Sequence, residues 1–110
     1  MAKDSYHVIM CRILIYLYAC MREGVEFNPD EVSFERLGVC EKYWTSIVVN
    51  MLEKGYLKGA AVIPVLRMGK RIKWDDPQIT QEGVEFIEEN SAIAKAKEFL
   101  KTLKEIVPGM

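Results

Sequence analysis

A mainly helical fold carrying one small antiparallel β-hairpin, α+β in class, follows from three features of this 110-residue sequence. Apolar residues recur at three- and four-residue steps in the stretches 5–22 and 41–54, two β-favouring runs flank a turn near Arg67, and Gly24, Gly38 and Gly55 punctuate the helical stretches. The length fits a single domain over residues 1–110, with a core of about 5–90 and a C-terminal helical extension.

The first helix, 5–22, places Ile9, Ile13, Tyr16, Leu17 and Cys20 on one face. Gly24 ends it, and Val25-Glu26-Phe27 alternates like a very short strand. Asn28-Pro29-Asp30-Glu31 is a helix start: Asn28 accepts from free amides, Pro29 suits the first helical position, and the two acids suit the positive end of the dipole. A second helix is expected over 29–37. After Gly38, a third helix over 41–54 turns Trp44, Ile47, Val48, Met51 and Leu52 inward and Lys42, Thr45, Ser46, Val49, Asn50 and Glu53 outward. Cys40, where Ser or Thr would cap better, leads into it.

Tyr56-Leu57 and Val62 to Leu66 read as strand, 67–70 as a turn, and Arg71 to Trp74 as the returning strand. Pro64 lacks an amide and needs an edge or a bulge. Asp75-Asp76-Pro77 is expected to break the second strand, and Thr80 to cap a helix over 80–90. The last helix, 92–107, is amphipathic, with Ala96, Phe99, Leu100, Leu103 and Val107 on one side. Helix, helix, tight glycine turn, helix and hairpin make a winged helix-turn-helix, here with a C-terminal helical extension. The breadth of that last apolar face predicts a homodimer through Ala92 to Val107, the alternative being that the face completes the core of one chain.

Several stretches resemble the YjcQ-like family of small winged-helix proteins of bacterial and phage genomes. They are Leu37-Gly38-Val39 ahead of Tyr43-Trp44, Met51-Leu52 ahead of Gly55-Tyr56-Leu57-Lys58-Gly59, Ile79-Thr80 ahead of Gly83, and Phe86-Ile87-Glu88-Glu89-Asn90-Ser91. The resemblance covers nearly the whole chain. It implies the fold and carries no catalytic or binding residues with it.

The formal charge of −1 excludes a polybasic chain, yet charge is segregated. Lys54 to Lys73 holds Lys54, Lys58, Arg67, Lys70, Arg71 and Lys73 and no acid, whereas Glu23 to Glu53 carries seven acids against Arg36 and Lys42. Such a basic hairpin suits a wing that tracks phosphates through Lys58, Arg67, Lys70, Arg71 and Lys73. Lys42, Thr45, Ser46, Val49 and Asn50 are then the face of a recognition helix, with Asn50 suited to bidentate pairing with adenine. The competing reading is a solvated hairpin whose charges protect an edge strand.

Metal binding and catalysis find little support. His7 and Cys11 stand four residues apart on the first helix, but a structural zinc site wants four ligands and the three cysteines form no CxxC pair, so they read as small buried thiols. There is no Gly-rich phosphate loop and no nucleophile motif, and the adjacent pairs Glu88-Glu89 and Asp75-Asp76 diverge rather than converge. Tyr43, Trp44 and Tyr56 read as packing residues before a stacking platform for bases. The unpaired cysteines suggest a reducing, cytoplasmic home. The apolar stretch 13–21 falls far short of the ~20 residues a membrane span needs, and the N-terminus lacks the pattern of a signal peptide. The expected function is noncatalytic binding of double-stranded DNA without a cofactor, as a transcription regulator of phage or prophage type. The alternative is a winged-helix module that binds another protein through the acidic surface of 23–53.

Overall fold

The computed structural model describes residues 6–67 and 69–89. Helix α1 spans Tyr6–Glu23 and is the central element. Its expected stripe is buried, and so are Val8, Met10, Leu14, Ile15 and Ala19 on its other sides, because helices, hairpin and the turn after it all pack against it. A helix apolar almost all round is stable only when so enclosed. Gly24, in the left-handed region at φ 66°, ends it, and the Val25 N–H closes back on the Cys20 carbonyl at 3.0 Å.

Two expectations fail in the next segment. Val25 to Phe27 is not a strand but a connector held by aromatic packing: the Phe27 ring lies 5.6 Å from Tyr16 and 5.1 Å from Trp74, and the Asn28 N–H donates to the Tyr16 hydroxyl at 3.0 Å. The single helix expected over 29–37 is split into a 3-10 turn, Pro29–Val32, and a one-turn helix α2, Phe34–Leu37. Two caps compete within this stretch. Asn28 Oδ1 accepts from the Asp30 N–H at 3.1 Å, and Ser33 Oγ accepts from the Arg36 N–H at 3.1 Å, which starts a second helix where the first would have continued.

Helix α3 spans Glu41–Glu53 and buries Trp44, Ile47, Val48 and Met51 against α1. Cys40 makes no side-chain cap bond, so Glu41 in the first turn supplies the favourable charge there. The Trp44 indole donates from Nε1 to the Val32 carbonyl at 2.8 Å.

Strands β1, Leu57–Val65, and β2, Gly69–Ile79, pair antiparallel with Val62 opposite Ile72 and Pro64 opposite Lys70. The expected hairpin is present and both strands run longer than expected, but Leu66, expected to end the first strand, lies in the turn, because β2 begins already at Gly69 opposite Val65. Gly69 and Lys70 belong to β2 rather than to the turn. Asp75-Asp76-Pro77 does not break β2: the three residues bulge against Gly59 alone, between the pairs Lys58–Gln78 and Ala60–Trp74. Gly59, at φ 82°, allows this, since a Cβ there would stand 2.5 Å from the Asp76 carbonyl oxygen. Among the described residues the sheet has two strands, so each is an edge and Pro64 is tolerated.

Helix α4, Gln81–Glu89, begins as expected at Thr80, whose hydroxyl accepts from the Gly83 N–H at 3.1 Å and donates to the Gly55 carbonyl. The Thr80 N–H bonds the Tyr56 carbonyl at 3.1 Å, which ties the end of α3 to the start of α4. A Cβ on Gly83 would fall 2.2 Å from that same carbonyl oxygen. The layout is mainly helical with one two-stranded hairpin, consistent with a winged helix. The expected helix 92–107, and the homodimer through it, lie outside the described residues.

Cys11 and Cys20 sit in the core, while Cys40, expected to be buried, is exposed at the head of α3. Burial pushes the Cys11 thiol up to about 11 and raises that of Cys20. Burial likewise raises the Tyr16 hydroxyl.

Four outcomes are expected. Trp44→Ala should lower unfolding stability by about 3–5 kcal/mol in urea titrations, since it opens a cavity and orphans the Val32 carbonyl. Gly83→Ala should also destabilise, because its methyl must displace backbone, by about 1–3 kcal/mol read as a lower Tm. In native buffer at about pH 8 a thiol reagent should modify Cys40 quickly and reach Cys11 and Cys20 only after unfolding. The unfolded chain releases the Cys11 proton near the ordinary 9.0 whereas the folded chain holds it to about 11, so Tm should fall as pH rises through that window.

Candidate nucleic-acid interface

The face that α3 leaves uncovered is set by helical geometry around Trp44. Lys42, Ser46 and Asn50 are exposed and Val49 is half-buried. Thr45, expected to face outward, is only 8% exposed. It lies roughly 100° around the helix from Trp44, on the side where the hairpin leans in, and so forms the rim of the core. Asn50 donates from its amide to the Tyr6 hydroxyl. That bond takes one N–H donor, orients the carboxamide, and leaves its oxygen and second donor on the surface.

The five basic residues expected on the wing do not act as one group. Strand alternation puts Lys70 on the same face as Ile72 and Trp74, turned toward the helices, and puts Arg71 and Lys73 on the far face, opposite Ile63 and Ala61. Lys58 stands at the base of the hairpin, paired with Gln78. Arg67 sits in the tip at φ 68°. All five are exposed. The hairpin therefore brings Arg67 and Lys70, and not the other three, to α3.

Between wing and helix lies a cleft of about 540 Å³ lined by Glu41, Lys42, Thr45, Ser46, Arg67, Gly69 and Lys70. A second cleft, about 300 Å³, continues along α3 past Val49, Asn50 and Glu53 and shares Thr45, Ser46 and Lys70 with the first. Chemically this is a groove with two cations on the wing wall, Lys42 with hydroxyl and amide groups on the helix wall, and an acid near each end. Gly69, Glu41 and Glu53 were not among the expected site residues. Their place depends on how the hairpin leans, although the first-turn position of Glu41 is visible in the sequence.

The other candidates are dispersed. His7 is exposed, with its ring 5.7 Å from Tyr6 and 6.1 Å from Phe86, while Cys11 one turn later is buried. Among the described residues no three His, Cys, Asp or Glu side chains are grouped to hold a metal ion. Trp44 is buried, Tyr43 meets Tyr6 edge-on at 6.4 Å, and Tyr56 stacks on Phe86 at 4.7 Å, so each of these rings packs within the protein.

Among the described residues no helix is long and apolar enough to cross a membrane. Neither a curated protein nor a solved structure matches the chain. The family described as YjcQ protein matches residues 11–106. The positions that carry the sequence resemblance have structural roles: Gly38 ends α2 in the left-handed region, Gly59 admits the bulge, and Thr80 caps α4 through Gly83. With that match running from the first turns of α1 past the end of α4, the chain belongs to the YjcQ family.

Proposed function

We propose that the protein is a noncatalytic binder of double-stranded DNA, a transcription regulator of phage or prophage type, with α3 as the helix that enters the major groove. The observation that carries this reading is the cleft in which the wing cations Arg67 and Lys70 stand across from Lys42, Thr45 and Ser46. With α3 in a major groove and the wing in the neighbouring minor groove, the sugar-phosphate strand that separates the two would run along that cleft. Arg67 and Lys70 would neutralise its phosphates, and Ser46 and Asn50 would reach base edges.

A second reading, a module that binds a basic partner protein, is favoured by one specific observation. Glu41 and Glu53 line the two clefts, and Glu26, Asp30 and Glu35 of the same acidic stretch are exposed.

Salt dependence separates the two. Duplex affinity should fall steeply with salt, and Arg67→Ala with Lys70→Ala should flatten that slope by roughly two contacts' worth, more than Arg71→Ala with Lys73→Ala. Ser46→Ala with Asn50→Ala should instead cost about 1–3 kcal/mol of discrimination per lost base contact. Selection from a random duplex library at low salt is the measurement. If no sequence is enriched, or the cleft-side pair leaves enrichment unchanged, the protein-binding reading replaces this one.

A further inference from the structure

We propose that the wing tip is an apolar wedge, with Leu66 entering between base pairs from the minor groove and kinking the duplex; this rests on the DNA-binding reading above. Leu66 is 88% exposed, far more than any other large apolar residue described. It sits at the apex between Val65 and Gly69, a place that turn chemistry ordinarily gives to Gly, Asn, Asp or Ser. At that exposure, no packing among the described residues requires leucine there.

Behind the apex, Val62 and Ile63 are 37% and 39% exposed on the two faces of the hairpin, so the apolar surface continues down the ribbon. Around it stand Arg67, Lys70, Arg71 and Lys73, with no acid between Lys54 and Lys73. Apolar tip and cationic collar together suit a polyanion that can open to expose apolar surface. A duplex does this when its base steps unstack.

Geometry adds a reason for a wedge. Two strands lie about 5 Å apart before their side chains are counted, while the minor groove of B-form DNA is about 6 Å wide. A ribbon enters deeply only by widening the groove, and an inserted leucine holds the widened step apart. An anionic membrane offers the same charge, but Arg67 and Lys70 behind the tip share a cleft with the polar face of α3, a concave surface that a ridge-like phosphate strand fills and a flat bilayer does not.

The test uses the full chain with a mixed-sequence duplex of about 30 base pairs, dye-labelled at both ends and carrying 2-aminopurine beside a central TA step, at low salt. The parent protein should shorten the end-to-end distance and raise the 2-aminopurine signal. Leu66→Ser should keep the parent's melting temperature, its salt slope and an affinity within roughly tenfold, yet leave the duplex straight, and Leu66→Met should restore the bend. Binding without a bend, or a bend unchanged in Leu66→Ser, overturns the wedge and leaves the DNA reading standing. Absence of any duplex binding overturns both. Leu66-dependent binding to phosphatidylserine vesicles, with the duplex left straight, assigns the tip to membranes and also overturns the wedge.

Discussion

The indole of Trp44 is the junction through which three otherwise separate pieces of chain are held in one arrangement. Its N–H is bonded to the carbonyl of Val32, its ring lies 6.4 Å from Phe34 and 6.2 Å from Trp74, and Trp74 in turn meets Phe27. The 3-10 turn, α2 and the hairpin are thus all referred to one side chain of α3. The 3-10 turn and α2 bury only Val32 and Leu37 of their own. Because Trp44 fixes the roll of α3, it decides which residues point away from the core. Because it contacts Trp74, it also decides how far the wing leans over them.

How much of this was legible in the sequence depended on the range of the interaction concerned. Local periodicity was sufficient for α1, for α3 with its inward Trp44, Ile47, Val48 and Met51, and for the capping of α4 by Thr80. The pairing of the two β-favouring runs was legible too, but its register was not, since Leu66 falls in the turn and β2 begins already at Gly69. What could not be read depended on partners distant in the chain. The bulge of Asp75-Asp76-Pro77 needs Gly59 across the ladder, and without that partner the same residues read as a strand terminator. The burial of Thr45 and the bond from Asn50 to Tyr6, 44 residues away, follow only from how hairpin and α1 approach α3. The split between Asn28 and Ser33 was a local competition, readable in principle from two capping residues in one short stretch.

The segregated charges acquire a physical meaning once the wing is placed. Arg67 and Lys70 share a groove with Glu41, so the groove holds both signs. Such a surface gains less from the unspecific release of counterions than a wholly basic one does. On the proposed DNA-binding reading, such a protein would depend more on correctly matched contacts along α3, which favours a larger ratio of specific to nonspecific affinity over raw affinity. Glu41 has a second role in the same place, since it faces the positive end of α3 where Cys40 provides no cap.

The bulge opposite Gly59 also separates two phases of side-chain alternation. Beyond it, Ile72 and Trp74 face the helices; before α4, Pro77 and Ile79 do so, and the parity has changed between them. The hairpin is therefore two mechanical parts, an anchor made by Leu57, Pro77 and Ile79 and an arm that starts at Ala60 and Trp74. Insertion of two residues into each strand of the arm would preserve every face and carry the tip about 7 Å further, with the anchor untouched. Reach and attachment are separately adjustable in this architecture, so arms of different length would fit one unchanged root.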